Sequence, residues 1–393
     1  MSKANNLLLP SLFLVFYSCT TFSYAQSSNI TFKKHVLTTQ FLAEGAAVGD
    51  VNKDGLMDVM AGAYWFEAPA WKPHELEEPQ LFEYDKGYSN AFISHGMDVN
   101  MDGWVDFVRI GFPGEAVLWF ENPKNESGFW EVHSICPALG NESAGFFDID
   151  KDGRKDLVGS IPDSGEMVWY KAPSNSENLA WEKFTISEKE SPGTARYAHG
   201  LGMGDLNSDG NVDLMITDGW WESPENPRTG PWKFHQADLG EASAQMYTHD
   251  LNGNGKAEVI SSAAHQLGIW WHAQQPTGAW ETYLIDTSFS QTHGLELVDI
   301  NRDGNKDLVT GKRYFAHMGK DPGGKEPPLL AWYEYLPGNS PSWTKHIIDD
   351  NSGVGVQVIV TDFFGNDRMD IIVANKKGVF VFEQLAIKPG KEK

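Results

Sequence analysis

A nine-residue loop, written seven times along the chain, decides what this sequence can become. Its best copy, Asp205-Leu206-Asn207-Ser208-Asp209-Gly210-Asn211-Val212-Asp213, sets oxygen-bearing side chains at positions 1, 3, 5 and 9, where a hard cation meets them. Glycine at position 6 permits the tight turn. The same register recurs at Asp50/Asn52/Asp54/Asp58, Asp98/Asn100/Asp102/Asp106, Asp148/Asp150/Asp152/Asp156 and Asp299/Asn301/Asp303/Asp307. A sixth copy, Asp250/Asn252/Asn254/Glu258, replaces two ligands conservatively. A seventh, Asp362/Phe364/Asn366/Asp370, carries Phe where the second ligand belongs, so this site is expected to be weak or empty. These read as structural Ca2+ loops. An EF-hand would need flanking helices and a bidentate Glu at position 12, where the chain has Ala61, Arg109, Gly159, Ile216, Ser261 and Thr310. The flanks are instead short apolar, β-branched runs such as Asp213-Leu214-Met215-Ile216-Thr217, so each loop joins two strands.

The loops begin at residues 50, 98, 148, 205, 250, 299 and 362 of 393, a repeat of about 50 residues that fills the chain. After each loop strand comes an aromatic pair and a polar residue: Trp65-Phe66-Glu67, Trp119-Phe120-Glu121, Trp169-Tyr170-Lys171, Trp220-Trp221-Glu222, Trp270-Trp271-His272, Trp332-Tyr333-Glu334. A further segment follows, as in Trp130-Glu131-Val132-His133 and Trp343-Thr344-Lys345-His346. Four strands in each of seven repeats predict an all-β, seven-bladed propeller over residues 26–386. Residues 31 to 37 copy the fourth-strand pattern, and the last repeat lacks a fourth strand. The N-terminal strand is therefore expected to close the ring, with 387–393 a short tail. Insertions near 71–90, 224–231 and 315–328 are expected to be loops over one face.

Residues 1–25 carry Lys3, an apolar run from Leu7 to Tyr17 and Ser23-Tyr24-Ala25 before Gln26, the pattern of a secretory signal peptide. The protein is expected to be periplasmic or secreted; the alternative is a lipid anchor through Cys19. Without Cys19 only Cys136 remains, so no internal disulfide forms and calcium does the stapling. Of the 54 carboxylates behind the net charge of −23, 21 sit inside the seven loops, so the charge mostly reports metal binding. No basic cluster suggests nucleic acid, the apolar run is too short for a transmembrane segment, and a monomer is expected.

In such a blade the first strand is innermost and enters the calcium loop. At one, three and five residues before each first Asp the side chains are often polar or small, as in His249; His95, Tyr247 and Glu296; Gln245, Gln357 and Ser143. That face should line the channel. Six residues back, at the end opposite the loops, stand Glu44, Glu142, His199 and His293; strict alternation would turn them away from the channel unless the strand has ended or bulged before them, as the following Gly45, Gly200 and Gly294 would allow. Groups titrating near neutrality in a polar cavity make a candidate catalytic set: His95, His199, Tyr247, His249 and His293, with Glu44, Glu142, Arg196, Glu296 and Arg313 as substrate contacts. The Trp pairs are read as blade packing.

The loops and the expected ring closure resemble the FG-GAP or VCBS repeat propellers over residues 31 to 385. Within that group His199-Gly200-Leu201-Gly202-Met203-Gly204-Asp205 followed by Gly219-Trp220-Trp221-Glu222, echoed by His293-Gly294-Leu295, is similar to the propeller domain of the aldos-2-ulose dehydratases and to related dehydratases and lyases of Bacteroidota. The resemblance implies a carbon–oxygen lyase of the dehydratase type. Its substrate would be an oligosaccharide of an acidic, ulvan-type polysaccharide, and the reaction a β-elimination. His199 and His293 would take part in catalysis or hold a divalent metal such as Zn2+ at the channel mouth. The competing expectation is a non-catalytic adhesion propeller whose loops bind a partner.

Overall fold

A computed structural model describes residues 30–386 apart from residue 339; the expected signal peptide, Cys19 and the tail lie outside these residues. The strands run in antiparallel meanders, each entered from its inner strand. The first is Ala47–Gly49, Asp58–Ala61, Tyr64–Glu67 and Lys72–Glu75, and the second Ile93–Met97, Asp106–Ile110, Glu115–Glu121 and Glu131–Leu139. The third is Gly145–Phe147, Asp156–Ile161, Glu166–Lys171 and Glu182–Thr185, and the fourth Leu201–Gly204, Asp213–Ile216, Gly219–Glu222 and Lys233–Gln236. The fifth is Gln245–His249, Glu258–Ser262, Leu267–Gln274 and Trp280–Ser290, and the sixth Leu295–Val298, Asp307–Gly311, Leu330–Leu336 and Ser342–Asp349. Ile359–Thr361, Asp370–Asn375 and Gly378–Leu385 complete the set, and Thr31–Thr38 pairs antiparallel with Gly378–Leu385 as the outer strand of that last sheet. The only helix among the described residues is the 3-10 turn Ala316–Gly319.

The result is an all-β propeller. Its strands sort into five four-stranded sheets and one of eight, where seven separate sheets were expected. The difference lies at one junction: the inner strands of the fourth and fifth meanders pair in parallel at Leu201↔Gln245 and Gly202↔Met246. Glycine makes this possible, since a Cβ on Gly202 would collide with the Met246 carbonyl oxygen.

Between sheets the side chains form continuous apolar layers. Trp169 and Trp221, at most 1% exposed, pack with Ile149, Val158 and Leu214; burying each side chain of this size contributes roughly 2–3 kcal/mol. The outer strands repeat another device. Glu67, Glu121, Glu222, Glu334 and Glu383 each hold the imidazole of a fourth-strand histidine, at 2.7, 3.1, 2.6, 2.9 and 2.8 Å to His74, His133, His235, His346 and His35. In four of these units the ring also stacks on a tryptophan, as His74 does on Trp65 with centroids 4.2 Å apart. Five of the twelve histidines are thereby structural.

Two expectations need correction. In the fifth meander the residue equivalent to these tryptophans is Trp271, which pairs with Ile260 and stacks on Tyr283, so the expected pair Trp270-Trp271 begins one residue early. The insertions do not share a face: Lys72–Glu75 is a strand, Arg228 reaches Asp150 of the third loop, and His317 lies at the opposite end among the channel-mouth residues.

Candidate active site

All seven loops hold the same backbone frame. The first Asp of each accepts the N–H groups of positions 5 and 6, as Asp205 does from Asp209 and Gly210 at 3.1 and 2.9 Å. The ninth residue is buried; Asp213, for example, accepts from Leu206 and Ser223. Burial pushes such carboxyls up, to about 6 for Asp58 and Asp213 and about 7 for Asp106, Asp156 and Asp307. Oδ2 of Asp307, buried in the sixth loop, has no hydrogen-bond partner. The third loop differs, because Lys171 reaches both Asp150 and Asp152 while Arg228 lies 2.8 Å from Asp150.

The expected ligand sets are only partly gathered. Among the described loops, the third alone brings three carboxylate oxygens within 4.8 Å of one another, from Asp148, Asp150 and Asp156. In the sixth loop Asn301 accepts from Asp303 N at 2.9 Å and donates Nδ2–H to Asp303 Oδ2 at 3.0 Å, while Asp303 Oδ1 accepts from Asn305 N at 2.8 Å. Asn52 with Asp54 and Asn207 with Asp209 repeat these bonds. In the second loop Asn100 is buried; it accepts from Asp102 N at 3.1 Å and donates Nδ2–H to Glu121 at 2.9 Å, and Asp102 meets Lys124 at 2.9 Å. In the fifth, Asn252 donates to Glu258 at 2.6 Å and accepts from Asn254 N at 3.0 Å. Asn100, Asn301 and Asp303, expected as metal ligands, thus also build the turn. The cause is local, since Asn and Asp at positions 3 and 5 reach the N–H two residues on. An ion would have to use the second lone pair of each oxygen.

At the other end the four offset-six residues stand just ahead of their inner strands, which begin at Ala47, Gly145, Leu201 and Leu295. Free of the strand pleat, Glu142 and His199 turn into the channel mouth, with His293 and Glu44 buried behind them. Beneath them the offset-five residues make a floor of amides. Gln245 donates to Val356 O at 2.8 Å and accepts from Leu295 N at 3.1 Å; Gln357 donates to Ser94 O at 2.9 Å and accepts from Ser94 N at 3.0 Å. The bonds to Val356 and Ser94 tie together non-neighbouring meanders, and the bond to Leu295 joins the fifth to the sixth. The candidates therefore fall into two groups.

The lower group lies toward the loops. His95 stacks on Phe146 with centroids 4.6 Å apart, and burial, with Lys155 nearby, lowers it to about 3. Tyr247 donates to Leu295 O at 2.8 Å and Glu296 Oε2 at 3.1 Å. Burial raises Glu296 to about 7 and holds Tyr247 well above its usual value. His249, beside Tyr335, is lowered by burial.

The upper group surrounds a cavity of about 710 Å³ whose walls include Tyr88, Phe112, Glu142, Tyr197, His199, His265 and His317. His199 gives Nδ1–H to Tyr197 O at 2.8 Å, and its buried Nε2, which makes no hydrogen bond, lies 3.4 Å from Glu142 Oε2. Burial pushes the Glu142 carboxyl up, but the adjacent imidazole of His199, with Arg313 and His265, outweighs it and holds the group below the usual range. His293 is 2% exposed; its Nδ1 faces Nη1 of Arg313 at 3.5 Å, and its buried Nε2 has no partner. Burial, then Arg313 and the neighbouring imidazoles, keep it well below the ordinary histidine value and so neutral. Arg313, 1% exposed, is held by Glu44 at 3.0 Å. It backs the site without facing solvent. Arg196 donates to Pro113 O at 2.7 Å and lies over Tyr197, so it stiffens the wall.

The geometry adds residues that the offsets had not marked. His265, on the hairpin after Glu258–Ser262, puts its ring 4.4 Å from that of His199 and 5.1 Å from that of His293. Its Nδ1 is 3.2 Å from Asp321, which also meets His317. Tyr88 accepts from His317 N at 2.8 Å, and Lys376, lowered to about 8 by burial, sits 4.4 Å from the Tyr88 ring. His265, His317, Asp321 and Lys376 sit between second and third strands and Tyr88 on the connection between the first two meanders, and these segments differ in length, so no constant spacing from the loops gives them away. Of these groups only His317 and Asp321 fall in a segment marked by the sequence, the insertion near 315–328.

Residues 98–159 and 250–310 match the family described as FG-GAP-like repeat. Integrin alpha-8 of Gallus gallus is 28% identical over 185 residues, 38% of this chain and 18% of that protein, and its Homo sapiens counterpart is 25% identical over 186 residues, 38% and 17%. The match thus spans less than a fifth of these relatives. Among solved structures, BBS1N, crystallised in complex with ARL6DN, is 10% identical with a TM-score of 0.52 over 90% of this chain and 95% of that one. A rhamnogalacturonan lyase of Bacillus licheniformis is 13% identical with a TM-score of 0.45 over 90% and 75%. The fold is a β-propeller, and two stretches of it match the FG-GAP-like repeat.

Proposed function

We propose that this protein is an exported carbohydrate lyase of the dehydratase type, acting by β-elimination on oligosaccharides of an acidic, ulvan-type polysaccharide in the cavity at the channel mouth. The observation that carries this reading is the approach of His199 Nε2 to Glu142 Oε2. With Nδ1–H given to Tyr197, a neutral His199 would aim a lone pair at a carboxylate. A proton between the two removes the conflict, leaving an imidazolium beside an ionised carboxylate. Such a pair can run an elimination and reset itself. Glu142 takes the proton from the carbon next to the substrate carboxylate, a carbon–carbon double bond forms as the carbon–oxygen bond breaks, and His199 delivers its proton to the leaving oxygen. Proton transfer from Glu142 back to His199 restores the start. Because Arg313 Nη1 donates to Nδ1 of His293, the hydrogen of that neutral ring sits on Nε2, buried behind the rings of His199 and His265 that face the cavity.

The same tautomer argues against a metal on His199 and His293, since Nε2 of His293 has no lone pair to offer. Calcium fits elsewhere. Six loops carry the carboxylate and amide oxygens of the ligand set, with the lone pairs their turns leave free and the unpartnered Oδ2 of Asp307 among them, and calcium would rigidify the turns. Counting the eight-stranded sheet as two blades gives seven, completed by the N-terminal strand and spanning residues 26–386 behind a signal at 1–25. The integrin likeness favours a second reading, a binding propeller without chemistry. An oligosaccharide panel decides between them: mass spectra should show loss of water or cleavage without water uptake, and binding without either product selects the second reading.

A further inference from the structure

The insertion between Asp307–Gly311 and Leu330–Leu336 carries a cluster that the elimination does not use. Asp321 Oδ2 lies 3.2 Å from Nδ1 of His265 and 3.0 Å from Nδ1 of His317, and the two imidazoles stack with centroids 4.4 Å apart. These nitrogen-to-oxygen separations are close to the edge of a tetrahedron with zinc-length bonds, about 3.3 Å. His265 belongs to the fifth meander and the other two residues to the insertion, so an ion among them would tie one to the other. The insertion is built to present this face: Phe315, His317 and Met318 all take left-handed φ of 54, 46 and 57°, a conformation that non-glycine residues hold only when their surroundings enforce it. His317 N–H on Tyr88, Lys376 on Phe315 O and Ser290 on Pro322 O supply that enforcement. All three side chains keep some exposure, at 22% for His265, 43% for His317 and 16% for Asp321, which leaves room for a water or a substrate oxygen as a further ligand.

We propose that His265, His317 and Asp321 form a transition-metal site of zinc class, separate from the calcium loops, which clasps the insertion over the channel mouth. Two imidazoles and a carboxylate suit a borderline ion and lack the number of oxygens that calcium takes.

Zinc titration calorimetry on the full exported chain in saturating calcium tests this, with thermal melts of the zinc-free proteins to confirm folding. The wild type should take up one zinc per chain. Asp321→Asn and His317→Gln should weaken binding by about a hundredfold or more, beyond the usual effect of losing an outer-shell partner, while His293→Gln should bind as the wild type does. Zinc retained by Asp321→Asn, zinc lost in His293→Gln, or no saturable binding by the wild type overturns the proposal.

Discussion

His35 and Glu383 lie near opposite ends of the chain, yet Nε2 of one is 2.8 Å from Oε2 of the other. The pair belongs to the ladder between Thr31–Thr38 and Gly378–Leu385, which covers the edge of the last sheet. His35→Ala should lower stability by about 1 kcal/mol, the usual net worth of a hydrogen bond. Deleting the strand through residue 38 should shift the melt far more than deleting 387–393. Urea unfolding of the three variants checks this, and equal losses for both truncations would remove the strand from the account.

Chelation should lower the melting temperature, because an ion bound only by the folded state stabilises it. The loops should not behave alike. Asp209→Ala should remove one calcium per chain, whereas Asp152→Ala should change the calcium count little, since Lys171 and Arg228 already supply positive charge to the third loop. Equilibrium dialysis of calcium reads both.

Glu296 should make the protein less stable as pH rises. Its folded value of about 7 stands above the ordinary 4.5, so the stabilising contribution is fully present below pH 4.5 and is lost through pH 7. The difference amounts to about 3 kcal/mol. Glu296→Gln keeps an acceptor for Tyr247 and should be more stable than the wild type at pH 8, with the gap closing by pH 4. Denaturant midpoints across that range measure it, and a constant gap would rule out titration of this group.

The loop spacing made the repeat, the strands and the closing segment legible, because each rests on local chemistry repeated in register. It also marked Glu44, Glu142, His199 and His293, which share one offset from the loops. Depth was not legible: alternation puts Gln245 and Tyr247 on one face, but only the long-range bonds of Gln245 to Val356 and Leu295 reveal a floor between upper and lower groups. Partners were hidden for the same reason. Arg313 reads as a substrate contact until Glu44, 269 residues away, is found against it in the interior. Asn100 reads only as a ligand until Glu121 of the third strand of its meander is found accepting from its amide nitrogen. His265 and Asp321 sit on connections of irregular length, where no periodicity applies.

The central claim is that proton transfer occurs above the amide floor, at Glu142 and His199. Turnover per folded molecule, on whichever oligosaccharide the panel identifies, tests it when measured for Glu142→Gln, His199→Gln and His95→Gln together. The first two should lose about a hundredfold or more, the scale of a missing acid or base, while His95→Gln stays near the wild type. Near-normal turnover in Glu142→Gln and His199→Gln, with the loss in His95→Gln instead, would contradict the account and move the chemistry below the floor.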